Sequence, residues 1–154
     1  MATPSEKLAE SLQVLKELQD KDNSLVIYGT TQLSRTHLNR LKLNGWLQEV
    51  LKGWYIVSKP GAEGDTTVWY SSFWSFIKAY CNRKYGDQWA LSPELSLDRW
   101  SGSTVIAKQC IVKTPEGANN VTNLFYGTST FPMRGKLPEN IVKDPVTGVN
   151  VYTL

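Results

Sequence analysis

Leu33-Ser34-Arg35-Thr36-His37-Leu38-Asn39-Arg40-Leu41-Lys42-Leu43-Asn44-Gly45 is followed directly by Trp46-Leu47-Gln48-Glu49-Val50-Leu51, Lys52-Gly53 and Trp54-Tyr55-Ile56-Val57. The first segment reads as a short helix. Ser34 is a suitable N-cap, because its hydroxyl can take an otherwise orphaned backbone N–H. Asn44-Gly45 is a suitable stop, since glycine accepts the left-handed conformation that ends many helices. Leu38 and Leu41 lie one turn apart and face inward. At about 100° per residue, Thr36, Asn39 and Arg40 then point away from them, with Arg35 on the flank and His37 near the inner face. Leu43 also falls on the outer side, which an undistorted wheel does not explain. The next segments are two β-rich runs around a two-residue turn ending in glycine, a strong hairpin signal.

Upstream, Thr3-Pro4-Ser5-Glu6 has the pattern of a helix start: a capping threonine, a proline in the first turn and a glutamate three residues after the cap. Leu8, Leu12, Leu15 and Leu18 recur on one face, with Val14 at its margin, and the helix should end within Asp20–Ser24. Leu25-Val26-Ile27-Tyr28 is a short strand or an extended entry to the next helix. The order is therefore helix, extended piece, capped basic helix, glycine stop and hairpin with a Lys-Gly tip.

That order is the layout of a winged helix-turn-helix, in which the second helix enters the major groove and the hairpin lies along the DNA backbone. The side chains suit the task. Asn39 can bond two edge atoms of adenine, Arg40 two of guanine, and Thr36 can touch a thymine methyl. Arg35, Lys42, Lys52 and Lys59 suit phosphates. His37 packs or bonds locally, or touches phosphate. Charge agrees: the chain carries 17 basic and 14 acidic residues, a net +3. Residues 31–60 hold Arg35, Arg40, Lys42, Lys52 and Lys59 against Glu49 alone, so the excess is concentrated there. A helix and hairpin used only for packing or protein contact have the same layout, so a protein-docking module stands as the alternative.

Downstream, Lys59–Thr67 holds Pro60, Gly61 and Gly64 and reads as a linker. A second long helix follows, capped by Ser71 or Ser72, with a wide face of Phe73, Trp74, Phe76, Ile77 and Tyr80 and an end at Tyr85-Gly86. Those aromatics suit a core better than a single-strand stacking platform. Ser92-Pro93 opens a shorter helix with Leu95 on its buried side. Val105–Val112 and Val121–Phe131 are β-like around a turn-rich Thr114–Asn120, and a last β-like piece spans Val149–Leu154. The expected architecture is α+β, with a winged helix at 1–60 and a small mixed α/β domain at 66–154.

Other chemistries are poorly served. The 154 residues are 41% hydrophobic, enough for a real core, and no apolar run is long enough for a helical membrane span. Two cysteines, Cys81 and Cys110, cannot make a disulfide scaffold, and the single His37 gives neither of them an evident base. Glu94 and Asp98 are a solvated acid pair. No phosphate loop or dinucleotide fingerprint occurs. The expectation is a cytoplasmic protein with no catalytic residues, no metal and no cofactor.

Leu33–His37, Asn44-Gly45-Trp46-Leu47 and Val50-Leu51-Lys52-Gly53-Trp54-Tyr55 resemble the winged-helix opening of a class of bacterial Fic-family (cell filamentation) proteins and of AbiE-type abortive-infection antitoxins. Trp69–Trp74, Tyr85–Glu94 and Gly127-Thr128-Ser129 are similar to the antitoxin-like module that follows in those Fic proteins. The resemblance implies a DNA-binding transcriptional regulator, antitoxin-like, that autoregulates a toxin–antitoxin or Fic-encoding operon. The implied partners are double-stranded DNA and a Fic or other toxin domain. The alternative becomes a module that docks or restrains a Fic AMP-transferase. The Fic signature, His-x-Phe-x-(Asp/Glu)-Gly-Asn-(Gly/Lys)-Arg, is absent, since His37 is followed by Leu38-Asn39-Arg40. The chain is accordingly expected to be an N-terminal fragment or remnant of a longer protein.

Overall fold

The computed structural model describes residues 2–62, 64–103 and 105–154. Glu63, within the expected linker, and Thr104, just before the expected β-like region, lie outside the described residues. The fold is α+β, with four helices and three sheets among the described residues. The chain divides into two compact units, Met1–Ser72 and Phe73–Leu154.

In the first unit, α1 (Pro4–Lys21) starts where Thr3 Oγ1 accepts the Glu6 N–H at 3.2 Å. Asp22 N–H closes its other end on Leu18 O at 3.0 Å. β1 (Val26–Tyr28) follows as a true strand, then α2 (Arg35–Leu43), β2 (Leu47–Leu51) and β3 (Trp54–Val57). β3 is the central strand, antiparallel to both neighbours. A central strand buried on both faces needs a continuous apolar run rather than alternation. Trp54, Tyr55 and Ile56 supply it, and all three are buried. Leu15, Ile27, Leu33, Leu38, Leu41, Leu47 and Tyr55 form one core cluster, with Leu8, Leu12 and Leu18 packed on it half-buried. Full burial of one such leucine is worth about 1.5–3 kcal/mol. The periodic leucines of α1 and the Leu38/Leu41 pair of α2 therefore meet the same core.

The second unit takes in most of α3 (Thr66–Tyr85), followed by β4 (Ala90–Leu91), α4 (Pro93–Trp100), β5 (Gln109–Thr114), β6 (Thr122–Asn123), a 3-10 turn at Phe125–Gly127, β7 (Ser129–Arg134), β8 (Ile141–Lys143) and β9 (Asn150–Tyr152). Its larger sheet has the order β4-β5-β7-β6, with β5 and β7 parallel, and β8 and β9 form a separate antiparallel pair. Phe73, Phe76, Ile77, Cys81, Trp89, Leu91, Cys110, Val112, Val149 and Val151 are buried. The buried Phe73 and Phe76 make the α3 aromatic face core; Trp74 and Tyr80 are half-buried at its edge.

Several boundaries differ from the sequence reading. α3 starts at Thr66, not at Ser71 or Ser72. The Asp65 carboxylate takes the Thr67 N–H at 2.9 Å, and the Ser71 hydroxyl donates back to Val68 O at 3.0 Å from inside the helix. The β-branched run Thr66-Thr67-Val68 has weak helix propensity and hides this start. α4 buries Ser96 and Arg99, and Leu95 is only half-buried. The first β-like stretch becomes a strand only at Gln109. The second is broken by the 3-10 turn, where Tyr126 sits at φ 52° and ψ 45°. β7 continues to Arg134 through Pro132. Proline lacks an N–H, and β6 pairs only with Ser129 and Thr130, so Pro132 lies beyond that ladder.

Candidate nucleic-acid interface

Ser34 caps α2 by accepting the His37 N–H at 3.3 Å. At the other end Gly45 N–H bonds Lys42 O at 3.2 Å and Trp46 N–H bonds Leu41 O at 2.9 Å, the paired hydrogen bonds of a Schellman stop. These two ends limit α2 to nine residues. With Leu38 and Leu41 inside, Arg35, Thr36, Asn39, Lys42 and Leu43 are left exposed. Leu43 is 88% exposed, so the wheel placed it correctly and the last turn is not distorted.

Arg40 departs from its expected outward direction. Its Nη1 donates to Lys7 O at 3.0 Å and to Ser11 Oγ at 2.9 Å, both on α1. Ser11 is fully buried, and its Oγ also lies 2.7 Å from His37 Nδ1. Ser11 Oγ thus accepts from the Arg40 guanidinium and shares a hydrogen bond with the His37 ring. Arg40 and His37 thus belong to the seam between α1 and α2. On the wheel Arg40 lies about 60° from His37 and about 100° from Asn39, nearer the seam than the outer face.

Lys42 is partly committed as well. Its Nζ stands 3.5 Å from Glu49 Oε1 and 5.8 Å from the Tyr55 ring centroid. Glu49 faces Tyr55 across the β2–β3 ladder. Partial burial pushes the Glu49 carboxyl up, but hydrogen bonds from Gly53 N–H and Tyr55, with the Lys42 charge, outweigh it and hold the carboxyl below its ordinary value. Burial and the Glu49 hydrogen bond push the Tyr55 phenol up, against the charge of Arg35.

The hairpin tip is as the sequence requires. Gly53 has φ +85°, and among the described residues only Asn119 and Tyr126 are non-glycines at positive φ, so Lys52 keeps an ordinary backbone. The register shifts between Glu49 and Leu51, the single-residue bulge that accompanies such a turn. Gly53 O accepts the Gly29 N–H at 2.7 Å, which ties the tip to the end of β1. Lys52 is exposed at that tip, and Lys59 is exposed just beyond β3.

Arg35, Thr36 and Asn39 therefore share the outer face of α2. Lys52 and Lys59 are presented from the hairpin and its exit, Lys42 is half-engaged, and Arg40 is engaged in the seam. Cys81 and Cys110 are buried and unbridged; burial pushes the Cys81 thiol far up and Cys110 to about 12, so neither is a ready nucleophile. No group of three or more His, Cys, Asp or Glu among the described residues could hold a metal ion, and no described helix is long and apolar enough to cross a membrane.

The sequence reading missed a second feature, a cleft of about 860 Å³ in the second unit bordered by Arg134, Lys136 and Lys143. Its local signal is the basic run Arg134-Gly135-Lys136; residues 137–143 continue the wall, and Asp87, Gln88, Pro115 and Asn150 join it from other parts of the chain. The protein matches no protein-family model, no curated protein and no solved structure.

Proposed function

We propose that residues 1–60 act as a winged helix and that the protein is a non-enzymatic, DNA-binding transcriptional regulator of antitoxin type. The observation that carries this reading is the joint exposure of Arg35, Thr36 and Asn39 on one face of α2, in the same unit as a hairpin with Lys52 at its tip. An α-helix with its side chains is about 10–12 Å across, which a major groove about 12 Å wide admits. Thr36 and Asn39 reach base edges, while Arg35, Lys52 and Lys59 contact phosphate. The likeness of residues 33–55 to AbiE-type antitoxins and Fic-associated winged helices supports autoregulation of a toxin–antitoxin or Fic-encoding operon.

The test is fluorescence anisotropy on duplexes selected from a random pool, repeated across a salt series. DNA binding through several phosphate contacts gives a log–log slope of about −0.9 per contact. No duplex binding at low salt overturns the proposal.

A second reading has its own observation. Leu43 stands exposed beside Asn39, and two of the helix's cations, Arg40 and Lys42, are engaged within the molecule. An outer face with that composition suits a protein partner such as a toxin or Fic domain, whose binding would be weakly salt-dependent.

A further inference from the structure

Arg134 ends β7 in a setting that is unusually constrained for an exposed side chain. Its Nε donates to Gly117 O at 3.0 Å, and its backbone N–H donates to Asn119 Oδ1 at 2.8 Å. Asn119 N–H in turn bonds Pro132 O at 2.9 Å, with Asn119 itself at φ 55°. Residues 115–120 lie so close on β7 that a Cβ at Gly117 would stand 2.6 Å from Pro132 O, Met133 C and Arg134 N. A left-handed asparagine and an obligatory glycine thus hold one guanidinium in place, and such constraint concentrates at ligand clamps. Because the tie uses Nε, both terminal nitrogens of Arg134 remain without a hydrogen bond among the described residues.

Arg134 lines the 860 Å³ cleft, together with Lys136 and Lys143. None of the three cations is ion-paired among the described residues. Lys113 lies next to the lining residue Gly135, where its Nζ would stand 3.6 Å from a built Cβ. A fixed guanidinium fork beside several ammonium groups is the arrangement that recognises phosphate. The cleft also contains Asp87 and Glu139, which accept hydrogen bonds from hydroxyl or amino groups and repel a polyanion threaded through the site. Leu137 and Ile141 supply apolar wall. The volume falls within the range of about 300–1,000 Å³ of small-molecule sites.

We propose that this cleft binds a phosphorylated small molecule of the nucleoside-phosphate class, with the phosphates on Arg134, Lys136 and Lys143 and the donor-bearing body toward Asp87 and Glu139. The site lies wholly in the second unit and does not depend on DNA binding by the first.

The experiment is a ¹⁵N–¹H titration of the full chain with ATP, GTP, adenosine and a short single-stranded oligonucleotide, each at about 0.15 M salt. ATP or GTP should give saturable shifts at the amides of residues 134–143 and 87–88. Adenosine should bind at least about tenfold more weakly, as expected when a charge-assisted phosphate contact is missing. Arg134→Gln and Lys136→Gln should each weaken nucleotide binding by about fivefold or more, Arg134→Lys by less, and Lys52→Ala not at all. Gly117→Ala, which leaves every charge in place, should weaken it by displacing the loop; retained dispersion of the β5 and β7 amides shows that the variant is folded. Absence of saturable shifts at residues 134–143 with either nucleotide up to about 5 mM overturns the proposal, since binding weaker than that carries little specificity. So does equal affinity in the Arg134→Gln, Lys136→Gln double variant, and so does binding of the oligonucleotide alone, which would assign the cleft to single-stranded nucleic acid.

Discussion

Arg40 and Arg134 are each tied to a backbone carbonyl well away in sequence, and the atom used for the tie separates their roles. Arg40 commits Nη1, the outer end of its fork, to Lys7 O and Ser11 Oγ, so its charge is drawn into a helix–helix seam. Arg134 commits Nε, the inner nitrogen, to Gly117 O, so its outer end keeps no hydrogen bond among the described residues while the residue lines a cleft. The first arrangement uses an arginine to join elements. The second uses an element to aim an arginine. The same contrast separates the regions around them. The first unit is assembled from consecutive pieces of chain, whereas the cleft draws on residues 87–88, 115, 134–143 and 150.

The strongest challenge to this comparison lies within α2 itself. Leu41 and Leu43 are two residues apart, one fully buried and one 88% exposed. Leu41→Ala should cost about 2–5 kcal/mol, the range for emptying a well-packed leucine site. Leu43→Ala should stay within about 0.5 kcal/mol of wild type, as surface changes do. Urea denaturation of the two variants measures both. Comparable losses would mean that the outer face of α2 is not a surface, and its reading as an interface would fail with it.

Next in size are two glycines, one in each region. Gly53 has positive φ with nothing within 4 Å of a built Cβ, so Gly53→Ala carries conformational strain alone, about 1 kcal/mol. Gly117 has no positive φ, but its Cβ would collide with backbone atoms of β7 at 2.6 Å. Backbone cannot swing aside as a flexible side chain can, so Gly117→Ala should cost about 1–3 kcal/mol. Thermal melts rank the pair. The reverse order would show that the loop over β7 yields easily and does not constrain Arg134.

The two glycines also mark what could be read in advance. Gly53 was legible because a two-residue hairpin is local: the flanking β-rich runs and the turn's need for positive φ lie within a dozen residues. The α1 start, the Leu38/Leu41 pair and the Ser34 cap were legible for the same reason. Gly117 was not, because its constraint is the proximity of β7, some fifteen residues on, through a parallel β5–β7 pairing that no local pattern announces. The β7 strand was further disguised by Pro132, tolerated only because β6 stops short of it. Arg40 was misplaced for a subtler reason. The wheel set it between two faces, and the buried Ser11 that decides the matter sits on a different helix.

Arg40 gives the third prediction. Arg40→Ala should destabilise the protein by about 1–2 kcal/mol, because it leaves Ser11 Oγ and Lys7 O without that donor. Ser11→Ala should cost less than additively in the double variant, since the two share one hydrogen bond. Arg35→Ala, on the exposed face, should leave stability unchanged and weaken duplex binding uniformly across sequences. If Arg40→Ala is neutral to stability and instead relaxes base preference at one position, Arg40 turns outward on DNA and the seam is a resting arrangement.

The smallest expected effect is at Lys52. It is exposed at the hairpin tip, with its backbone in an ordinary conformation because Gly53 takes the positive φ. Nothing in the fold therefore depends on its side chain, and Lys52→Ala should melt with the wild type. If the hairpin lies along a DNA backbone, Lys52 neutralises about one phosphate, and its loss should reduce the slope of log affinity against log salt by about one unit. The measurement is a duplex-binding salt series on both proteins. Lys136→Ala, in the second unit's cleft, serves as the matched control, since it removes the same charge from a site proposed for a small ligand. A slope that falls for Lys52→Ala and not for Lys136→Ala keeps the two basic regions functionally apart. Equal losses at both would make Lys136 a duplex contact as well, against the small-ligand assignment of its cleft, and no change at Lys52 while DNA still binds would remove the hairpin from the interface.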